Sequence, residues 1–80
     1  MKIKYTRHAR GRMRLYKINH EDIKKVIENP DITYQENVYT ISICKLSDNF
    51  KGFPLKVIYT IENEYIIIIS TYQLKKFHRR

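Results

Sequence analysis

Acidic residues are scarce in this sequence: eight Asp and Glu stand against sixteen Lys and Arg in eighty residues, which gives a net charge of +8. The eight acids (Glu21, Asp22, Glu28, Asp31, Glu36, Asp48, Glu62, Glu64) are scattered, without the clustered carboxylates that a Mg²⁺ site requires. His8, His20 and His78 lack zinc-ligand spacing. Neither a metal nor another cofactor is expected. Cys44 is the only cysteine, so no disulfide can form within the chain, and this points to a reducing compartment. It lies in an alternating apolar run and reads as a small buried hydrophobe, because a thiol in apolar surroundings stays protonated. Long apolar runs are also missing. The longest, Tyr65 to Ile69, falls far short of the ~18 residues of a membrane span, and the opening MKIKYTRHAR lacks the apolar stretch of a signal peptide. The expectation is a soluble cytoplasmic protein with no membrane partner.

What is present is positive charge. A pI near 9.8 exceeds the value of about 9 that marks a nucleic-acid-binding domain. RNA or another polyanion is the expected partner, while charge alone leaves open an acidic protein partner or simply a basic soluble chain. Eighty residues make a single domain, 1–80. A chain this short buries only roughly 60 to 65% of its unfolded surface, so every apolar strand is needed for the core.

Pro30 and Pro54 divide the chain into a helical first part, a middle region and a strand-rich end. Residues Lys2 to Tyr5 read as a short strand. Thr6 can then cap a helix whose 3.6-residue period brings Ala9, Met13 and Tyr16 onto one stripe, with Gly11 a mild weakness. Asn19 caps a second helix with Asp22 three residues on and Ile23, Val26 and Ile27 on its buried side. Asn29-Pro30 ends it. From Asn37 the period becomes two: Tyr39, Ile41 and Ile43 alternate with Thr40, Ser42 and Cys44 as in a half-buried strand, and Leu55, Val57, Tyr59 and Ile61 alternate in the same way. YIIIISTY is apolar on both faces and reads as a central strand. The loop length at Glu62-Asn63-Glu64 leaves the side on which Tyr72 projects undetermined, because a slip of one residue inverts a strand. The order predicts an α+β domain, two N-terminal helices packed on one face of a mostly antiparallel sheet of about four strands, with the other face open.

The stretch TRHARGRMRLYK holds one histidine among five cations. On a helical wheel Arg10, Arg14 and Lys17 fall together, away from Ala9 and Met13, as a solvated face that attracts polyanions. His8 and Arg12, four residues apart, share a stripe expected to be half-buried. Two readings of that pair stand. In one, Arg12 pairs with a carboxylate while His8 hydrogen-bonds within the domain. In the other, the histidine moves a proton and the guanidinium holds a phosphate. RNA transesterification suits the second, since the 2′-hydroxyl is the nucleophile and the protein need supply only a base, an acid and cations. Lys56 is expected opposite Leu55 and Val57, either as a solvated strand lysine or aimed at a phosphate. The tail carries Lys75, Lys76 and His78 beyond Tyr72, a mixture suited to backbone contact and base stacking, or else to a frayed basic end. His20, in the first turn of the second helix, reads as a neutral surface residue.

HARGRM (His8 to Met13), INHEDIKKVIENPD (Ile18 to Asp31) and PLKVIYTIENEYIIIISTY (Pro54 to Tyr72) together resemble a domain-of-unknown-function family of small bacterial and archaeal proteins. That family is similar to the RelE and BrnT toxins of toxin–antitoxin pairs. The resemblance implies a compact sheet with two N-terminal helices, metal-independent cleavage of messenger RNA, often on the ribosome, and an acidic antitoxin covering the active face. It singles out His8, Arg12 and, more loosely, Lys56 as catalytic positions. The family usually has a cation near that strand's start, often arginine, so lysine is a mild departure. RelE-like enzymes also use cations on the last strands and a tyrosine or histidine near the C-terminus, which the resemblance assigns to Tyr72, Lys75 and His78, while Thr71 stands where an arginine is expected. Arg10 and Arg14 of the solvated helix face and Lys76 of the basic tail complete the expected RNA contacts. The expected function is a metal-independent endoribonuclease toxin; the alternative is a non-catalytic RNA-binding or interaction module on the same fold, as a monomer or a homodimer.

Overall fold

The computed structural model of the chain describes residues 2–46 and 53–74. The elements run β1 (Lys2–Tyr5), α1 (Arg7–Tyr16), α2 (His20–Glu28), β2 (Ile32–Glu36), β3 (Tyr39–Lys45), β4 (Pro54–Glu62) and β5 (Tyr65–Gln73). The strands form one sheet in the order β1-β5-β4-β3-β2.

This corrects the expected sheet of about four mostly antiparallel strands. There are five strands and the sheet is mixed, because β1 pairs parallel to β5 while the other three pairings are antiparallel. The α+β class stands. The additional strand, β2, is exposed at every position, so its short Ile32/Tyr34 alternation buries nothing that would have marked it as a strand. The parallel pairing joins residues far apart in the chain, Tyr5 to Ile68, a neighbourhood that periodicity within either segment does not encode.

Local signals account for the helices. Thr6, in extended backbone, accepts a hydrogen bond from the Ala9 N–H and so satisfies one of the unpaired donors of α1. Asn19 and Asp22 form a reciprocal capping box at α2. Both helices lie on the face that carries Leu55, Val57 and Ile68, all fully buried, and join Ala9, Ile18, Ile23 and Val26 in the core. Cys44 is part of that core, as its sequence context suggested. Burial, and secondarily the charge of Asp31, holds its thiol above the ordinary value.

Glu62 pairs with Tyr65, so the final hairpin has a two-residue turn, Asn63-Glu64, with Asn63 in the left-handed region (φ 58) that asparagine tolerates. Ile58 pairs with Ser70 but Tyr59 with Ile68, which leaves Ile69 as an extra residue in β5. YIIIISTY therefore forms an interior strand between β1 and β4, and its two halves are out of phase.

Candidate nucleic-acid interface

Helix α1 packs on β5 and β1 through Ala9, which is fully buried, with Met13 and Tyr16 against the same core. Apart from Gly11 and Leu15, the remainder of its surface is polar, and it carries no acid. Two open hollows flank it. One, about 560 Å³, is lined by Tyr5, Arg7, Arg10, Gly11 and Arg14; the other, about 270 Å³, by His8, Gly11, Arg12 and Leu15.

In the smaller hollow the Arg12 side chain lies along the helix between His8 and Tyr16. Its Nε donates to His8 Nε2 at 3.4 Å and its terminal nitrogen to the Tyr16 hydroxyl at 3.4 Å, both loose contacts. Arg12 is half-buried, as expected. His8 is exposed, which corrects the half-buried stripe: Leu15, its neighbour on that flank, is 67% exposed, so among the described residues no other element covers that side of α1. Among the described residues Arg12 meets no carboxylate, which removes the ion-pair reading within that set.

In the larger hollow Arg7, Arg10 and Arg14 occupy one flank at spacings of three and four residues. The exposed Arg10 and Arg14 agree with the solvated face read from the wheel. Tyr5 is held by a hydrogen bond between its hydroxyl and His20 Nδ1, with the two rings edge to face at 5.9 Å. Burial first, and the nearby charge of Glu21 second, push the Tyr5 phenol above its ordinary range. Sequence reasoning missed Tyr5, Arg7 and Gly11. The spacing of Arg7, Arg10 and Arg14 was a usable signal; the Tyr5–His20 pairing, between residues fifteen positions apart, was not.

Lys56 lies elsewhere. Its neighbours Leu55 and Val57 face the helices, so Lys56 projects from the opposite face of the sheet, beside the buried Ile43. Tyr72 is its cross-strand partner there, and Lys56 Nζ sits 5.4 Å from the Tyr72 ring centroid. The structure thus places Tyr72 on the face away from the helices, where Lys4 makes a second such contact with Tyr65 at 4.1 Å. Ile41, Ile43 and Ser70 are buried on that face, which corrects the expectation that it is open. It brings His8 together with Arg12, and Lys56 with Tyr72, but sets the two pairs on opposite sides of the sheet. Lys75, Lys76 and His78 lie outside the described residues.

Among the described residues no group of three or more His, Cys, Asp or Glu is placed to hold a metal ion, and no helix is long and apolar enough to cross a membrane. No curated protein and no solved structure matches the chain. A family model does: residues 5–73, from the last residue of β1 to the end of β5, match the domain of unknown function DUF4258, and the chain belongs to that family.

Proposed function

We propose that the chain is a metal-independent endoribonuclease of the RelE- or BrnT-like toxin kind, with helix α1 as its working surface and messenger RNA as its substrate. The observation that carries this reading is the exposed His8 beside Arg12 in a hollow open to solvent. Cleavage by internal transesterification moves the 2′-hydroxyl proton to a base, forms a bond from that oxygen to phosphorus and releases the 5′-oxygen with a proton from an acid. His8 Nε2 accepts from Arg12 only loosely, at 3.4 Å, and once Arg12 turns to the diester its lone pair is free to take the first proton. Arg12 is a guanidinium that can hold the diester and stabilise the charge gathering on its oxygens. Arg10 and Arg14 add attraction for the backbone, and the same surface suits a cognate acidic antitoxin through charge complementarity.

The test is RNA cleavage in a chelating buffer, with and without ribosomes, beside growth of cells expressing wild type or His8→Ala. Wild type is expected to cleave and leave 2′,3′-cyclic phosphate ends, and His8→Ala to lose about 10² to 10⁴ in rate. Equal cleavage by both would remove His8 from the chemistry; none by wild type would remove the enzyme.

A non-catalytic RNA-binding module on the same fold is favoured by one observation. Lys56 lies across the sheet from His8, so the pair lacks the third cation that the family resemblance assigned to it. Binding that weakens steeply with salt, without cleavage or toxicity, would decide for this reading.

A further inference from the structure

Gly11 is the residue type least suited, after proline, to the middle of a helix, about 1 kcal/mol less favourable there than alanine. Nothing lies within 4 Å of the position that a Cβ would take, and the residue needs no left-handed backbone, so neither packing nor conformation calls for glycine. Gly11 does, however, line both hollows of α1. A side chain at this position would stand as a wall between them; its absence leaves bare backbone at the crest.

The two hollows offer complementary chemistry. Arg7, Arg10 and Arg14 advance along the helix by about 4.5 and 6 Å, a line of guanidiniums suited to a run of phosphates rather than to one. None of the three makes an ion pair among the described residues. Tyr5, fixed by His20, walls that hollow with an aromatic ring on which a base can stack. Across Gly11 lie His8 and Arg12.

We propose that Gly11 is a saddle over which a single strand of RNA crosses α1, its backbone held by Arg7, Arg10 and Arg14 on one flank and its next phosphate delivered to His8 and Arg12 on the other. This rests on the RNA-binding part of the proposed function but not on cleavage. Bulk at position 11 then blocks the crossing, whatever charge the bulk carries.

The experiment is fluorescence anisotropy with a labelled 12-nucleotide 2′-O-methyl oligouridylate, which cannot be cleaved through its 2′-oxygen, titrated at several salt concentrations against wild type, Gly11→Ala, Gly11→Leu, Gly11→Lys and a triple Arg7→Gln/Arg10→Gln/Arg14→Gln variant. Thermal unfolding confirms that each is folded; alanine, leucine and lysine are all better helix formers than glycine. Gly11→Ala is expected to bind within about twofold of wild type, and Gly11→Leu and Gly11→Lys at least about tenfold more weakly. The triple variant is expected to lower the slope of log affinity against log salt by about 2, at roughly 0.7 for each phosphate that is no longer neutralised. Gly11→Lys is decisive, because an added cation tightens binding on any merely electrostatic surface. Binding of Gly11→Lys as tight as wild type or tighter would overturn the saddle, as would an unchanged slope in the triple variant. Failure of wild type to bind the probe would overturn both the saddle and the RNA reading. The expected Gly11 pattern from a wild type that cleaves no RNA would leave the saddle standing and remove only the enzyme.

Discussion

The Thr6 hydroxyl makes two hydrogen bonds. It accepts from the Ala9 N–H at 3.0 Å, capping α1, and donates to the Ile69 carbonyl at 3.0 Å, while the Thr6 N–H donates to Ile68. Ile69 is the extra residue of the β5 bulge, so one side chain joins the start of the helix to the irregularity of the strand beneath it. Arg7 and His8 follow directly, which sets the entry of both hollows. Thr6→Val keeps the β-branched shape and loses both side-chain bonds. The expected cost is about 1 to 2 kcal/mol, a fall in Tm of roughly 4 to 8 °C per kcal/mol for a domain of this size, measured by calorimetry. Thr6→Ser, which retains the hydroxyl, is expected to recover most of the loss. A Thr6→Val protein as stable as wild type would mean that water replaces both partners at no cost.

At the scale of the element, α1 ends without the usual glycine. Lys17 takes the left-handed conformation (φ 58), its N–H bonds to the Met13 carbonyl, and the Ile18 N–H bonds to the same oxygen at 2.8 Å while its side chain enters the core. This is a Schellman-like close with a Cβ where none is favoured. Lys17→Gly is expected to stabilise by about 1 kcal/mol, read as a higher denaturant midpoint at unchanged slope; a lower midpoint would show that the lysine stem packs usefully against the helix. The caps and stripes of α1 and α2 were legible in the sequence because they are local: Thr6 to Ala9 and Asn19 to Asp22 span three residues each. The alternation of β4 was legible for the same reason, since its helix side is the more deeply buried. In β3 the expected half-buried pattern fails, because Ile41, Ser42, Ile43 and Cys44 are all buried and it is Ser42 and Cys44, not Ile41 and Ile43, that share the helix side with Val57 and Leu55. β2 was not legible, because an exposed edge strand has no buried face to impose a pattern. Nor was the side on which Tyr72 projects. It follows from a two-residue turn together with a one-residue bulge at Ile69, and only pairing with β4 fixes both. His8 was placed on the correct flank of α1, but its exposure depends on what lies beside the helix, which a wheel does not contain. The arginine line of the larger hollow was open to the same wheel that grouped Arg10 with Arg14.

At the scale of the whole molecule, the sheet acts as a partition. Helices α1 and α2 cover one face, with His8, Arg12 and the arginine line on the outer side of α1; Lys56, Tyr72, Lys4 and Tyr65 occupy the other face, with the buried layer of Leu55, Val57 and Ile68 on the helix side. A net charge of +8 spread over both sides attracts a polyanion to either, so a charge-removing substitution on each face is expected to weaken RNA binding by itself. What separates a shared site from two independent ones is coupling. Substitutions well apart with no common partner add to within about 0.3 to 0.5 kcal/mol, whereas groups gripping one phosphate do not. Binding of a short oligoribonucleotide to wild type, His8→Ala, Lys56→Gln and the double variant, at one salt concentration, is therefore expected to give additive losses. A coupling of about 1 kcal/mol or more, given that these residues lie on opposite faces of one chain, would require a second copy to bring its Lys56 to the first copy's His8, and would then appear only at protein concentrations where the chain self-associates.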